Sequence, residues 1–453
     1  MNTLESPVPA PARPLWQRLL RSAAVVALAL VLILLTGIAT LAHVVAARAT
    51  FEAFLSGNRD ASYVAAGLIA AAVVLLPIVL VLVAERKGWL RWPVLAASAL
   101  LTLPALGWLA WDEPGVRQPL TLDELSPPFP AAEKSFAVLM RYAKNSEEAN
   151  AYSRVKLALP LWNAPAIRES AKWRDWVIKN RAPLEADWVT LAPQRAWLEE
   201  LAAFDRLGDL TAAGFDAPIM QFQVWRTLSQ RTAARATLLA LDGERDAAVA
   251  ALLPLLQTSR RLQISSRTLV RTMIAVVIEK MMMETASFVL ELGPVAPVPL
   301  AQLDAALAHD NSAALARRLL LMEYAHFNPM LHTMKLGDQM QFTFSKSELV
   351  RQPLNALSAL LFNPNATTNL YGVRVYELAA LAEARELGKF SVRAKGFDDA
   401  LRRQGGMKNL GGRLVLNMAV PAFDKVLESH WKSADLRSDL RKQIAAKSAL
   451  AKL

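Results

Sequence analysis

Glu323 and His326 stand three residues apart in the stretch Glu323-Tyr-Ala-His326-Phe-Asn-Pro-Met-Leu-His332. On a helix, positions i and i+3 share a face, and a Glu-x-x-His pair is one half of the motif that holds ions in carboxylate-bridged di-metal bundles. Imidazole also moves protons near neutral pH. Glu323, His326 and His332 are therefore the candidates for catalysis or metal ligation. A di-metal site needs a second Glu-x-x-His and two more carboxylates, and the sequence holds no second copy and no His-Glu-x-x-His. A structural role for the two histidines is the main expectation, and a metal-dependent enzyme or hydrolase the alternative.

Other motifs are fragments. Gly406-Met-Lys-Asn-Leu-Gly411-Gly412-Arg413 has the glycine spacing of a phosphate loop but lacks the Lys-Ser/Thr pair, and no strand is predicted before it. There is no Gly-x-Ser-x-Gly elbow. The absence of cysteine excludes thiolate zinc sites, iron–sulfur clusters and a cysteine nucleophile. Met281-Met282-Met283 is expected in the core, since methionine fills irregular gaps. Asn365-Ala-Thr367 is formally a glycosylation acceptor. No cofactor is expected, and the reading is of a protein that is not an enzyme.

These residues need a scaffold, and the sequence supplies two kinds of element. Segments at about 22–47, 61–84 and 92–111 carry no Asp, Glu, Lys or Arg. Each is long enough to cross a ~30 Å hydrocarbon layer as a helix. Trp16, Trp89, Trp92, Trp108 and Trp111 sit at or beyond the ends of these runs, where an indole suits the headgroup boundary. The first run greatly exceeds the 7–15 apolar residues of a signal peptide and reads as an uncleaved anchor. With no charge inside the spans, an anchor fits better than a transporter. Gly67 and Ala71 would let the helices pack closely, and self-association through them is a further expectation.

Arg13, Arg18 and Arg21 in the tail 1–21, and Arg86, Lys87 and Arg91 in the second loop, outweigh Arg48 and Arg59 in the first. This bias puts the N-terminus in the cytoplasm of a bacterial cell. Three crossings then leave the large C-terminal domain in the periplasm, on the inner membrane. If the third segment does not span, the domain is cytoplasmic.

Residues 112–130 hold five prolines and read as an extended, stiff spacer. From 131 to 453 apolar residues recur at i, i+3, i+4, notably over Val224 to Leu241, Ala247 to Leu262, Thr268 to Leu292, Leu300 to Phe327 and Arg374 to Leu387. The fold class is therefore all-α: three transmembrane helices followed by a helical bundle or an irregular array of helical hairpins. Gln341 to Ser345 is the best candidate for a strand. Gly293 to Pro299 carries three prolines and either divides the domain near 293–300 or joins two helices.

The segment Ala234 to Leu253, with Gly243 followed five residues later by Ala248, resembles one tetratricopeptide unit, and Gly208 and Ala213 echo it 35 residues earlier. The aromatic and proline positions of that family are missing, and ordinary antiparallel helix pairs fit as well. The resemblance implies helical hairpins turning at Gly243 and Gly208.

The formal charge of +11 divides into +4 over residues 1–111, −1 over 112–384 and +8 over 385–453. A neutral body without interleaved basic and aromatic residues does not suit nucleic acid. In the basic segment 385–453, the last helix aligns Leu436, Leu440 and Ile444 beside Arg437, Arg441 and Lys442. Such a helix lies on anionic lipid, docks on a partner, or packs on its own domain. The expected partners are the lipid bilayer and another envelope protein, bound through protein–protein or membrane-surface contacts.

Overall fold

A computed structural model describes residues 110–159, 164–214, 219–308, 311–334, 362–403, 409–419 and 423–450. The three apolar segments, apart from Ala110 and Trp111, and the strand candidate at 341–345 lie outside the described residues. Among the described residues the protein is all-α, no helix is long and apolar enough to cross a membrane, and the one strand-like feature is an isolated bridge between Ala143 and Met220.

The helices in chain order are α1 (Leu122–Leu125), α2 (Ala132–Leu139), α3 (Glu147–Ser153), α4 (Ser170–Lys179), α5 (Arg181–Thr190), α6 (Ala192–Ala202), α7 (Phe222–Leu241), α8 (Arg245–Ser265), α9 (Leu269–Glu291), α10 (Pro297–Leu307), α11 (Ser312–Thr333), α12 (Pro364–Glu383), α13 (Leu387–Arg403), α14 (Leu410–Ala419) and α15 (Phe423–Leu450). They divide between two compact units. The larger takes residues 115–334, 368–397 and 419–453, and the smaller takes 1–114, 335–367 and 398–418.

The larger unit is built on α7, α8 and α9, long helices joined by short turns. Gly243, with φ +91°, ends α7 in a Schellman cap: its own N–H donates to Ala240 O at 3.2 Å, and Glu244 N–H donates to Leu239 O at 2.8 Å. The hairpin expected at Gly243 is present. Gly208 has another role. It lies outside any helix, and a Cβ there would strike the backbone of Ala132. This spacing therefore does not mark a second hairpin, and ordinary helix pairing describes the region.

The run read as one helix from Leu300 to Phe327 is two, α10 and α11. Pro297 opens α10 at a first-turn position, where a missing donor is harmless. The residues 293–296 join α9 to α10 within the larger unit. Met282 and Met283 are fully buried, as core packing requires.

Ion pairs sit inside this apolar unit. Arg231 on α7 donates to Asp187 on α5 at 2.9 Å, each side chain 1% exposed, and Asp187 also accepts the Ala158 N–H at 2.6 Å. Arg437 on α15 holds Glu279 on α9, which also accepts from Gln263 at 2.8 Å and Ser433 at 3.1 Å. Leu440 and Ile444 are buried in the same core, and Arg441 pairs with Asp304 on α10 at 2.9 Å. The apolar stripe of the last helix is thus used for packing on its own domain.

Residues 115–130 carry the one-turn helix α1 and run along the larger unit. The Asn369 side chain donates from Nδ2 to Gly115 O at 2.9 Å, and its Oδ1 accepts the Arg117 N–H at 2.6 Å. The Tyr324 hydroxyl donates to Gln118 O at 2.9 Å. Leu122 packs with Met322 and Ala325, and a capping box from Thr121 and Glu124 fixes α1. This proline-rich stretch, read from the sequence as an extended, stiff spacer, carries one helical turn and groups with the larger unit. Its carbonyls, left without local partners, are instead satisfied by side chains of the domain.

In the smaller unit, the Asp112 carboxylate caps α12 by accepting the N–H groups of Asn365 (2.8 Å) and Ala366 (2.9 Å). Asn365 Nδ2 donates to Glu113 O at 2.7 Å, and Thr367 is fully buried. Both polar residues of the formal glycosylation acceptor are thereby engaged in the fold.

Candidate functional site

Helix α11 brings Glu323 and His326 to one inward-facing side, as their spacing requires. Burial of the Glu323 carboxyl pushes it up to about 7, opposed by a hydrogen bond from the Leu269 N–H at the start of α9. Burial lowers the His326 imidazole, with Asp209 acting to raise it and Arg271 to lower it. His326 Nδ1 has no hydrogen-bond partner among the described residues. His332 does not join them. It lies six residues beyond His326, about 240° further round the helix, and is exposed. No group of three or more His, Asp or Glu is placed to hold a metal ion among the described residues.

Around the pair lie groups that the sequence did not nominate. Asp209, fully buried, accepts the Thr211 N–H at 3.1 Å and the Arg267 N–H at 2.7 Å, and pairs with the Arg271 guanidinium. These contacts hold its carboxyl below the usual range, against the burial that would raise it. Arg271 also donates to Thr211 Oγ1 at 3.0 Å. Arg267 pairs with Asp123 on α1 and donates to Ser126 O at 2.9 Å. Arg318, one and a half turns before Glu323 on α11, donates to Leu125 O at 3.3 Å and Gln263 O at 3.4 Å. Tyr371 on α12 is buried in a ring cluster with Tyr324 and Phe327. Burial drives its phenol well above the ordinary value, and the neighbouring Glu323 adds to that.

One sequence signal pointed to this cluster. Arg271 interrupts the apolar run that opens α9, and a guanidinium in an apolar helix must find a partner. Its partner Asp209 comes from an irregular stretch with no periodicity to place it.

Comparison with protein-family models, with curated proteins and with solved structures finds no match to this chain. Function therefore rests on the geometry. The cluster contains one carboxyl whose affinity for protons is set near neutrality and one imidazole with an unbonded nitrogen. Its remaining charges mostly tie α1, the α8–α9 turn and residues 205–214 together.

A second feature faces solvent. Helix α9 is buried on nearly every side, and its exposed positions before Glu291 are Val270, Met273 and Val277, at 52%, 40% and 54%. Their spacing of three and four places them on one stripe. The stripe borders a small cavity of about 40 Å³ lined by Met273, Val276, Val277, Leu319, Val426 and Ser429. Isolated exposed apolar residues are ordinary, but an aligned row beside a dimple is the pattern of a contact surface.

Proposed function

We propose that this protein is a membrane-anchored, non-enzymatic interaction protein of the bacterial cell envelope. Its N-terminal helices hold it in the inner membrane with the N-terminus cytoplasmic, and its helical domain, in the periplasm, binds another envelope protein. The Val270–Met273–Val277 stripe carries the reading for the domain. The central helix of a well-buried core would ordinarily present polar residues where it meets water, and this one presents valine and methionine. A protein partner is favoured over the bilayer surface because Leu440 and Ile444, the apolar face of the basic last helix, are already committed to the core.

A photo-crosslinking amino acid at Val277, activated in intact membranes, tests this. A discrete adduct is expected, and Met273→Lys should reduce its yield several-fold while the unfolding midpoint changes little, as for other surface changes. Equal adducts from a probe at exposed Lys172, or indifference to Met273→Lys, would sink the proposal. Because the chain has no cysteine, Ser391→Cys offers a single thiol for an impermeant reagent. Labelling in spheroplasts supports the periplasmic placement, and labelling only after lysis refutes it.

A second reading, a membrane-tethered hydrolase, draws support from Glu323, whose carboxyl at about 7 suits proton transfer at neutral pH. It would use Glu323 and His326 without His332. Hydrolysis of any ester or amide panel substrate that vanishes in both Glu323→Gln and His326→Ala would favour it over the binding role.

A further inference from the structure

Buried arginines crowd where the α8–α9 turn meets α11. Three guanidiniums gather there: Arg267 and Arg271 are 6% and 2% exposed, and Arg318 is largely enclosed. Asp209, a fully buried carboxylate among them, is taken by Arg271, and the Glu323 carboxyl is held by the Leu269 N–H. Among the described residues the carboxylate partner of Arg267 is Asp123, whose side chain is 71% exposed. Arg318 makes its hydrogen bonds to carbonyl oxygens, and Asp209 acts on it through space without a direct contact among the described residues. Enclosure lowers its guanidinium to about 10, with Asp209 acting to raise it and Arg267 to lower it further.

Three donors of this region are left over. Arg318 Nη2, Arg267 Nε and Ser265 Oγ are each buried and without a hydrogen-bond partner among the described residues. Other atoms of the same residues are tied to one stretch of chain. Arg318 Nε and Arg267 Nη2 bind the carbonyls of consecutive residues, Leu125 and Ser126. Arg318 Nη1 binds Gln263 O, two residues before Ser265. Ser126 Oγ in turn donates to Ser265 O at 3.1 Å. The result is a ring of α1, the end of α8 and α11, carrying two guanidiniums and a hydroxyl that have unused donors.

We propose that Arg267, Arg318 and Ser265 form a binding site for a phosphate-type oxyanion. Guanidinium forks match phosphate oxygens, and charge-assisted hydrogen bonds are the strong ones. Three donors on separate elements suit a group with three oxygens better than a flat carboxylate. The same chemistry is offered by free phosphate and by the headgroup of an anionic phospholipid, and the test separates them. The site is distinct from the α9 stripe and does not depend on a protein partner binding there.

Thermal unfolding of the purified full-length chain in uncharged detergent, at constant ionic strength set with chloride, is the measurement. Inorganic phosphate at ten times its Kd should raise the midpoint by about 2 °C in a saturable manner. A headgroup site would respond instead to nanodiscs of phosphatidylcholine containing phosphatidic acid, and not to phosphatidylcholine alone. Either response supports the site and names its source. Arg318→Gln should weaken the response at least about tenfold. Ser265→Ala, a milder change, should weaken it several-fold and serves if Arg318→Gln does not fold. No shift with phosphate or with phosphatidic acid overturns the proposal, as does a full shift in Ser265→Ala and in any folded Arg318→Gln.

Discussion

Arg437 holds Glu279 through three hydrogen bonds of 2.8–3.0 Å across 158 residues of sequence, with the Glu279 side chain fully buried. This pair fastens the last helix to the middle of the domain, with Arg260 3.4 Å from the same carboxylate. Arg437→Met removes the main partner of a carboxylate that has no access to water. The expected loss is about 3–5 kcal/mol, read from urea unfolding of the full-length chain. Arg437→Lys should recover only part of it, because an ammonium lacks the planar fork that meets both oxygens. A loss below about 1 kcal/mol in Arg437→Met would show that the pair contributes no more than an exposed one.

Glu323 gives the protein a pH dependence of definite sign. Below about pH 4.5 its carboxyl is protonated both folded and unfolded. Between about 4.5 and 7 the unfolded chain loses the proton first, so stability from this group falls as pH rises. Above about 7 both states are ionised and the loss stays constant, on the order of 3 kcal/mol. Glu323→Gln should therefore gain on the parent chain from pH 4.5 to 7 and hold a constant lead above that. Midpoints from thermal scans across this range check the prediction, and parallel curves for the two proteins contradict it.

The docked stretch 115–130 should resist protease. Trypsin has a site after Arg117, whose N–H is held by Asn369 at 2.6 Å. Cleavage there is expected to be slow in the native chain. Tyr324→Phe removes the hydrogen bond to Gln118 O and leaves the ring cluster with Tyr371 and Tyr376 in place. It should cost about 1 kcal/mol and raise the cleavage rate at Arg117 roughly fivefold if cutting follows local opening. Rapid cutting of the parent chain at this site would mean that the stretch is not held.

The sequence revealed the long helices because their apolar periodicity is a local property. Val224 to Leu241 against α7, and Thr268 to Leu292 against α9, agree within two residues at each end. The division between α10 and α11 was missed, although Asp310, Asn311 and Ser312 are residues that favour helix starts. Helix α12 begins ten residues before the expected Arg374, where its first N–H groups find Asp112, more than 250 positions away. No local pattern encodes that cap. The same limit applied at the candidate site. Glu323 and His326 were readable as i, i+3 neighbours, whereas the meeting of Arg318 and Arg267 on the consecutive carbonyls of Leu125 and Ser126 depends on where irregular chain passes over the helices.

If the N-terminal segments anchor the chain as proposed, the docking of residues 115–130 limits how far the domain can search. As free chain, those residues would extend roughly 50 Å and let a tethered domain explore a wide volume above its anchor. Laid along α11 and α12, they supply no such slack. Under the proposed anchoring, the α9 stripe meets partners confined to the same membrane neighbourhood, and a lengthened tether would lower its encounter rate with them even if every contact residue were kept.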